Sequence, residues 1–208
     1  MRTAPFDVFE PPDGDSPVLV EVPHAGLAID AQSLAWLSAP THFIARDADL
    51  YVDELFEGSP KLGATLLRAN MSRYVVDLNR SPDDFDGGAV TGGPTTDRPR
   101  GVVWRLTSAG TPALRKRLSG AELLRRRAAF YQPYHDALCA LLERKRQRFG
   151  FAILLCAHSM PSPNRPPRAQ PTRGGRQQAA APVADLVPGS RGRTSAAPEW
   201  IDLIQTVG

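Results

Sequence analysis

Cysteine is scarce in this chain, with Cys139 and Cys156 the two thiols in 208 residues, each set in an apolar stretch. That excludes a disulfide scaffold and predicts buried thiols in a reducing compartment. No apolar run approaches the roughly 20 residues needed to span a bilayer, so no transmembrane helix and no membrane partner are expected. The opening MRTAPFDVFEPPDGDSP is acidic and Pro-rich, not basic and then apolar, so no secretory leader is read there and a cytoplasmic location is expected. A dominant charge is lacking as well. Lys and Arg number 25 against 22 Asp and Glu, and the pI near 9.1 reflects surplus arginine without a strong global field. The arginines crowd one helical region without the interleaved aromatics of a groove binder, so they read as a solvated face and no nucleic-acid partner is expected. Compact metal motifs of the HExxH or CxxC kind are absent too. Any metal site must be assembled from residues far apart in the chain.

What is present is a chain 42% hydrophobic, long enough for one sizeable domain over residues 1–208. Its focus is Pro17–Gly26, PVLVEVPHAG. Val18, Leu19, Val20 and Val22 read as a strand buried on both faces, and Pro23 ends it because proline cannot donate to a sheet ladder. His24 then stands at the strand's carboxyl end, where parallel sheets bind ligands. Residues 1–16 read as an irregular lead-in and Ala31–Leu37 as a short helix. Arg46–Gly58, RDADLYVDELFEG, reads as a helix with acids in its first turn. Gly63–Leu67 and Ser72–Asn79 read as strands, the second ending in Asp77, Asn79 and Arg80. Residues 81–100 form a long loop rich in Gly, Pro and Asp, and GVVWRL at 101–106 a strand-like return. Leu114–Arg148 is predicted helical with a break or kink at Pro133. FAILLCA at 151–157 carries the strongest central-strand signal and runs into His158. Residues 161–182 are low in complexity and predicted mobile. Thr194-Ser195 caps a last helix bearing Glu199 and Trp200. Alternating strands and helices predict an α/β fold with a mostly parallel central sheet and helices on both faces.

Two of the four histidines, His24 and His158, end apolar strands. A loop hydrogen bond explains either one alone; the repetition favours a shared site. With a carboxylate from Asp47 or Asp49, the set His, Asp, His describes a catalytic zinc site, one ion with three protein ligands and a position left for water. Surface charge at a helix start is the plain alternative for whichever aspartate does not ligate. Asn79-Arg80 supplies a carboxylate handle, since guanidinium pairs bidentately with a carboxylate. Arg105, ending VVWR, is a second candidate anchor. A small N-acyl amino acid is the substrate class this chemistry suits.

VPHAG, RDADLYVDELF, YVVDLNRSPDD, GVVWR, YQPYHDAL, AHSMPS and DLVPGSRGRTSAAPE occur in an order that resembles the N-formylglutamate amidohydrolase family. The resemblance runs from about Pro17 to Asp202. It implies a zinc-carboxypeptidase-like (phosphorylase/hydrolase-like) fold and hydrolysis of N-formyl-L-glutamate to formate and L-glutamate, late in histidine degradation. Residue by residue it implies His24, His158 and the Asp47/Asp49 pair as the metal set. Asn79-Arg80 correspond to the pair that holds a terminal carboxylate in zinc carboxypeptidases. His135 lies in a family motif, either as a catalytic group or as a core histidine supporting the site. The family pattern continues past this sequence to a late strand bearing a glutamate that acts as general base. Without that glutamate, Asp77 is the carboxylate expected to stand in. The alternative is a shortened, catalytically impaired family member that binds zinc and carboxylate, with an unpaired sheet edge where the late strand is missing.

Overall fold

Val18–Val22 forms a strand, β2, whose last four residues are buried, as a β-branched run predicts. The computed structural model describes residues 4–160 and 187–207. In it β2 pairs in parallel with β3 (Thr65–Ala69) on one side and with β4 (Ile153–Cys156) on the other. A further strand, β1 (Phe6–Phe9), adds to β3 in antiparallel sense, giving a four-stranded mixed sheet in the order β1-β3-β2-β4. The lead-in is therefore not irregular throughout. Asp7, which disfavours a strand by itself, is held there by Arg68 at 2.8 Å and Asn70 at 3.0 Å, both on or next to β3.

The expected strand at Ser72–Asn79 is instead a buried, irregular segment. Tyr74, Val75, Val76 and Leu78 sit in the larger apolar cluster, but their backbone finds no neighbouring strand. The guanidinium of fully buried Arg126 donates to the carbonyls of Tyr74 (3.4 Å) and Val75 (3.0 Å), and Asp77 N donates to Val102 O (2.9 Å). Apolarity placed this segment inside, and a side chain from a distant helix supplied the partners that a strand would have given it. Residues 101–106 likewise form only isolated bridges, although Val102, Val103 and Trp104 are core.

The acidic stretch expected as one helix over Arg46–Gly58 divides. After α1 (Ala31–Leu34), α2 covers Thr41–Arg46 and α3 covers Val52–Phe56. Asp47 and Asp49 lie in the turn between α2 and α3, which closes at Tyr51 with φ +67°, a left-handed conformation uncommon for a residue with a Cβ. The long helical region expected from Leu114 starts only at Gly120, with Leu114 and Leu118 in isolated bridges instead. Ser119 caps α4 (Gly120–Arg126), a wide π turn occupies Arg127–Tyr131, and α5 runs from Gln132 to Phe149. Pro133 does not break it. The π turn falls just before the proline, where the helical ladder must shed one bond for want of the proline N–H.

Among the described residues β4 pairs only with β2, and Leu154 and Leu155 on it are 41% and 38% exposed. FAILLCA is thus an edge strand here and not a central one, and both cysteines are exposed where burial was expected. Apolarity reports what a strand can bury, not how many neighbours it receives. The chain divides into two compact units, residues 1–160 and 161–208. The second contains α6 (Pro198–Val207), the expected last helix, which starts at Pro198 and not directly after the expected Thr194-Ser195 cap. The loop expected at 161–182 lies outside the described residues. No described helix is long and apolar enough to cross a membrane.

Candidate active site

Because β2 and β4 are parallel neighbours, with Glu21 opposite Cys156, the residues that follow them emerge side by side. The His24 and His158 rings lie 5.0 Å apart between centroids. The turn between α2 and α3 is drawn to them by Asp49 N, which donates to His24 O at 3.1 Å. Asp49 Oδ2 then lies 2.9 Å from His158 Nδ1 and 3.6 Å from His24 Nδ1. One donor atom from each of His24, Asp49 and His158 falls within 4.8 Å of the others, a group able to hold a metal ion. Gly26, two residues after His24, lies so close to the Asn70 backbone that a Cβ there would run into it.

Asp77 fixes the chemistry of His24. Its Oδ1 accepts from His24 Nε2 at 2.7 Å, so in the neutral ring the proton sits on Nε2 and Nδ1 keeps its lone pair. That Nδ1 is buried and has no hydrogen-bond partner. An orphaned lone pair is costly in a protein interior, and it is the state an imidazole needs in order to ligate a cation. The residues therefore fit a metal: two imidazoles and a carboxylate, with the orphaned nitrogen of the buried histidine facing the group.

Asp77 is itself completely buried. It accepts from five donor groups: His24 Nε2, Arg73 Nε and Nη2, Trp104 Nε1 and its near neighbour Asn79 N. Burial alone would raise its pKa, but His24 and Arg73 outweigh it and hold the carboxyl well below the usual range. Asp49 follows the same pattern: burial pushes it up, while His158, His24 and Arg73 bring it far down. For His24 burial pulls the pKa down, and the adjacent Asp49 and Asp77 carboxylates reverse that to a net rise.

The two aspartates of the turn separate cleanly. Asp49 joins the histidines. Asp47 accepts from Tyr74 Oη at 2.5 Å, from Ser108 N at 3.0 Å and from Ser108 Oγ, tying the loop at 107–112 to the turn. Asn79 places its amide nitrogen 3.1 Å from His158 Nε2, and Arg80 next to it is exposed with its carbonyl bonded to Tyr131 Oη. Arg105, expected as a second carboxylate anchor, is occupied: Nε lies 3.0 Å from Asp86 Oδ2 and Nη2 pairs with Asp97. His135 packs on Tyr131 and Tyr134 and bonds through Nε2 to Leu78 O at 3.0 Å, with its pKa lowered chiefly by burial. It steadies the 77–80 segment from behind. Sequence reading missed Arg73, Trp104, Tyr74 and Ser108. The spacing of Arg73 and Asp77, four apart, was the one signal available, and it is meaningless in a segment taken as a strand.

A profile of the N-formylglutamate amidohydrolase family matches residues 16–207. The chain belongs to this family. Among its curated relatives, N-formylglutamate deformylase of Pseudomonas putida is 34% identical over 151 residues, covering 72% of this chain and 54% of the relative. The protein of the same name from Pseudomonas aeruginosa is 34% identical over 155 residues, again 72% of this chain and 54% of the relative. The chain thus spans about half the length of the curated relatives it matches. The crystal structure of N-formylglutamate amidohydrolase from Ralstonia eutropha JMP134 superposes with a TM-score of 0.83 at 30% identity, over 98% of this chain and 72% of that one. The family match encloses the whole group described above, from His24 to His158.

Proposed function

We propose that this protein is a metal-dependent amidohydrolase that releases formate from N-formyl-L-glutamate or a close N-acyl amino acid. The observation that carries the reading is the buried, unpartnered Nδ1 of His24 beside Asp49 and His158. His24, Asp49 and His158 hold the ion, for which Zn2+ best suits two imidazoles and a carboxylate. When bound, such an ion supplies Lewis acidity, polarising the formyl carbonyl and lowering the pKa of water. Asp77 keeps the His24 ring in the tautomer that presents Nδ1, and Arg73 and Trp104 keep Asp77 charged and fixed. Arg80 holds a substrate carboxylate through its planar fork, with Asn79 setting its place beside His158. The resemblance to the zinc carboxypeptidases belongs to this reading, as does a cytoplasmic role late in histidine degradation.

The saturation of Asp77 favours a second reading. With five donors on its two oxygens, Asp77 is poorly disposed to take a proton from water. A chain that binds metal and substrate but hydrolyses slowly fits that observation. Metal analysis of the purified protein, coupled to an assay of formate release, separates the two. Stoichiometric Zn2+ lost in Asp49→Ala, with formate release lost alongside, is the expected result. Zn2+ binding without formate release selects the second reading, and a metal-free protein that takes up no Zn2+ sinks both.

A further inference from the structure

A pocket of about 470 Å³ is lined by Arg80, Asp84, Asp97, Arg98, Pro99 and Arg100. Its charges resolve into pairs and a remainder. Arg98 is neutralised by Asp84 at 2.8 Å, and Asp97 is taken by Arg105 from outside the lining. Among the described residues Arg80 and Arg100 have no ion pair. Two free guanidinium groups therefore share one small pocket.

Each is linked to the metal group through its neighbours. Arg80 follows Asn79, whose amide nitrogen touches His158. Arg100 lies 6.0 Å from the centroid of the Trp104 ring, and the indole Nε1 donates to Asp77, the partner of His24. A second pocket, about 590 Å³, has Arg105 and Arg117 in its wall, but Arg105 is already shared between Asp86 and Asp97. Of these two pockets, the smaller holds two arginines without an ion pair among the described residues.

We infer that Arg80 and Arg100 form a clamp for a dicarboxylate, with Arg100 the residue that selects an acidic side chain on the N-acyl amino acid. The inference rests on the substrate class proposed above. An N-acyl acidic amino acid carries two carboxylates, one on the carbon bearing the scissile amide and one at the end of its side chain. The α-carboxylate is the nearer to the reacting bond, so it falls to Arg80, which is joined directly to the residue touching His158. The side-chain carboxylate reaches further and falls to Arg100. Two negative charges then meet two uncompensated positive ones, and no buried ion pair has to be broken to admit them.

Titration calorimetry in the presence of EDTA, with N-formyl-L-glutamate and N-formyl-L-glutamine as the probes, tests the clamp without hydrolysis. The wild-type protein is expected to prefer the glutamate compound. Arg100→Ala should weaken it about 10- to 100-fold while leaving the glutamine compound within about threefold, the loss of one charged hydrogen bond. Arg80→Ala should weaken both compounds alike, and Arg100→Lys should keep part of the preference by keeping the charge. Arg100 is exposed, so its variants should melt with the wild type. An unchanged preference in Arg100→Ala overturns the inference, as does equal loss of both compounds in that variant or wild-type protein that binds neither. Selective binding without formate release from the Zn2+-loaded protein would instead sink the hydrolase while leaving the clamp standing.

Discussion

Two charged clusters in this molecule, each with buried members, invite comparison. In the first, Glu122 on α4 is 3% exposed and Arg126 is fully buried. Glu122 Oε1 accepts from Arg126 Nε and Arg125 Nη2, each at 2.8 Å, and Oε2 accepts from Arg125 Nε and Gln32 Nε2, each at 2.9 Å. The remaining Arg126 donors go to backbone carbonyls of Ser33, Tyr74 and Val75. The second cluster is His24, Asp49, His158 and Asp77, similarly dense in charge, but it leaves His24 Nδ1 without a partner. A closed cluster holds structure together. The other leaves a buried nitrogen facing a group of side chains able to hold a metal ion.

The difference can be broken first at Glu122. Glu122→Ala strands the Arg126 charge in the core and should lower stability by about 3–5 kcal/mol, read from urea unfolding, with Zn2+ uptake by the folded fraction unchanged. A loss below about 1 kcal/mol would remove the structural role assigned to the closed cluster. The same carboxyl gives a pH signature. Burial opposes its ionisation, but Arg125 and Arg126 hold its pKa at about 2 against an ordinary value of 4.5. Its contribution is therefore complete above pH 4.5 and is lost as pH falls through 2, so acid unfolding of Glu122→Ala should show a shallower slope in that window than the wild type.

In the open cluster the effects should fall on ligands. Arg80→Lys replaces a planar fork by a point charge and should weaken N-formyl-L-glutamate binding by about 1.5–3 kcal/mol, measured by calorimetry. Equal affinity in the lysine variant would return Arg80 to a surface role. Asp77→Asn loosens the hold on His24 and should lower Zn2+ affinity about 10- to 100-fold, read by competition with a chelating dye. Unaltered affinity would mean that packing alone orients the ring. The smallest effect sharpens the division between neighbours: Ser108→Ala removes a hydroxyl from Asp47 and should lower stability by about 1 kcal/mol with Zn2+ uptake intact. A fall in Zn2+ uptake in that variant would draw Asp47 back into the metal group.

The sequence by itself determined which residues were candidates for the site. Histidine after each of two apolar strands, carboxylates soon after the first and Asn-Arg after an apolar run are all local facts. They pointed to His24, His158, Asn79 and Arg80, and the ordered motifs pointed to the family. The end of the long helix near Arg148 was legible for the same reason, since Gly150 follows it in the sequence and takes the left-handed conformation that closes a helix, whereas its start at Ser119 was not. Tertiary structure decided whatever depends on neighbours that sequence spacing does not encode. It separated Asp49 from Asp47, two residues apart, because a turn closing at Tyr51 sends one carboxylate to the histidines and the other to Ser108. It made Tyr74–Leu78 a buried coil, because Arg126 arrived from α4 to bind its carbonyls. Among the described residues it left Arg100 without an ion pair and Arg105 bound, because only in three dimensions do Asp86 and Asp97 meet Arg105. Composition fixes which groups exist; the fold fixes which of them are already satisfied, and binding falls to those that are not.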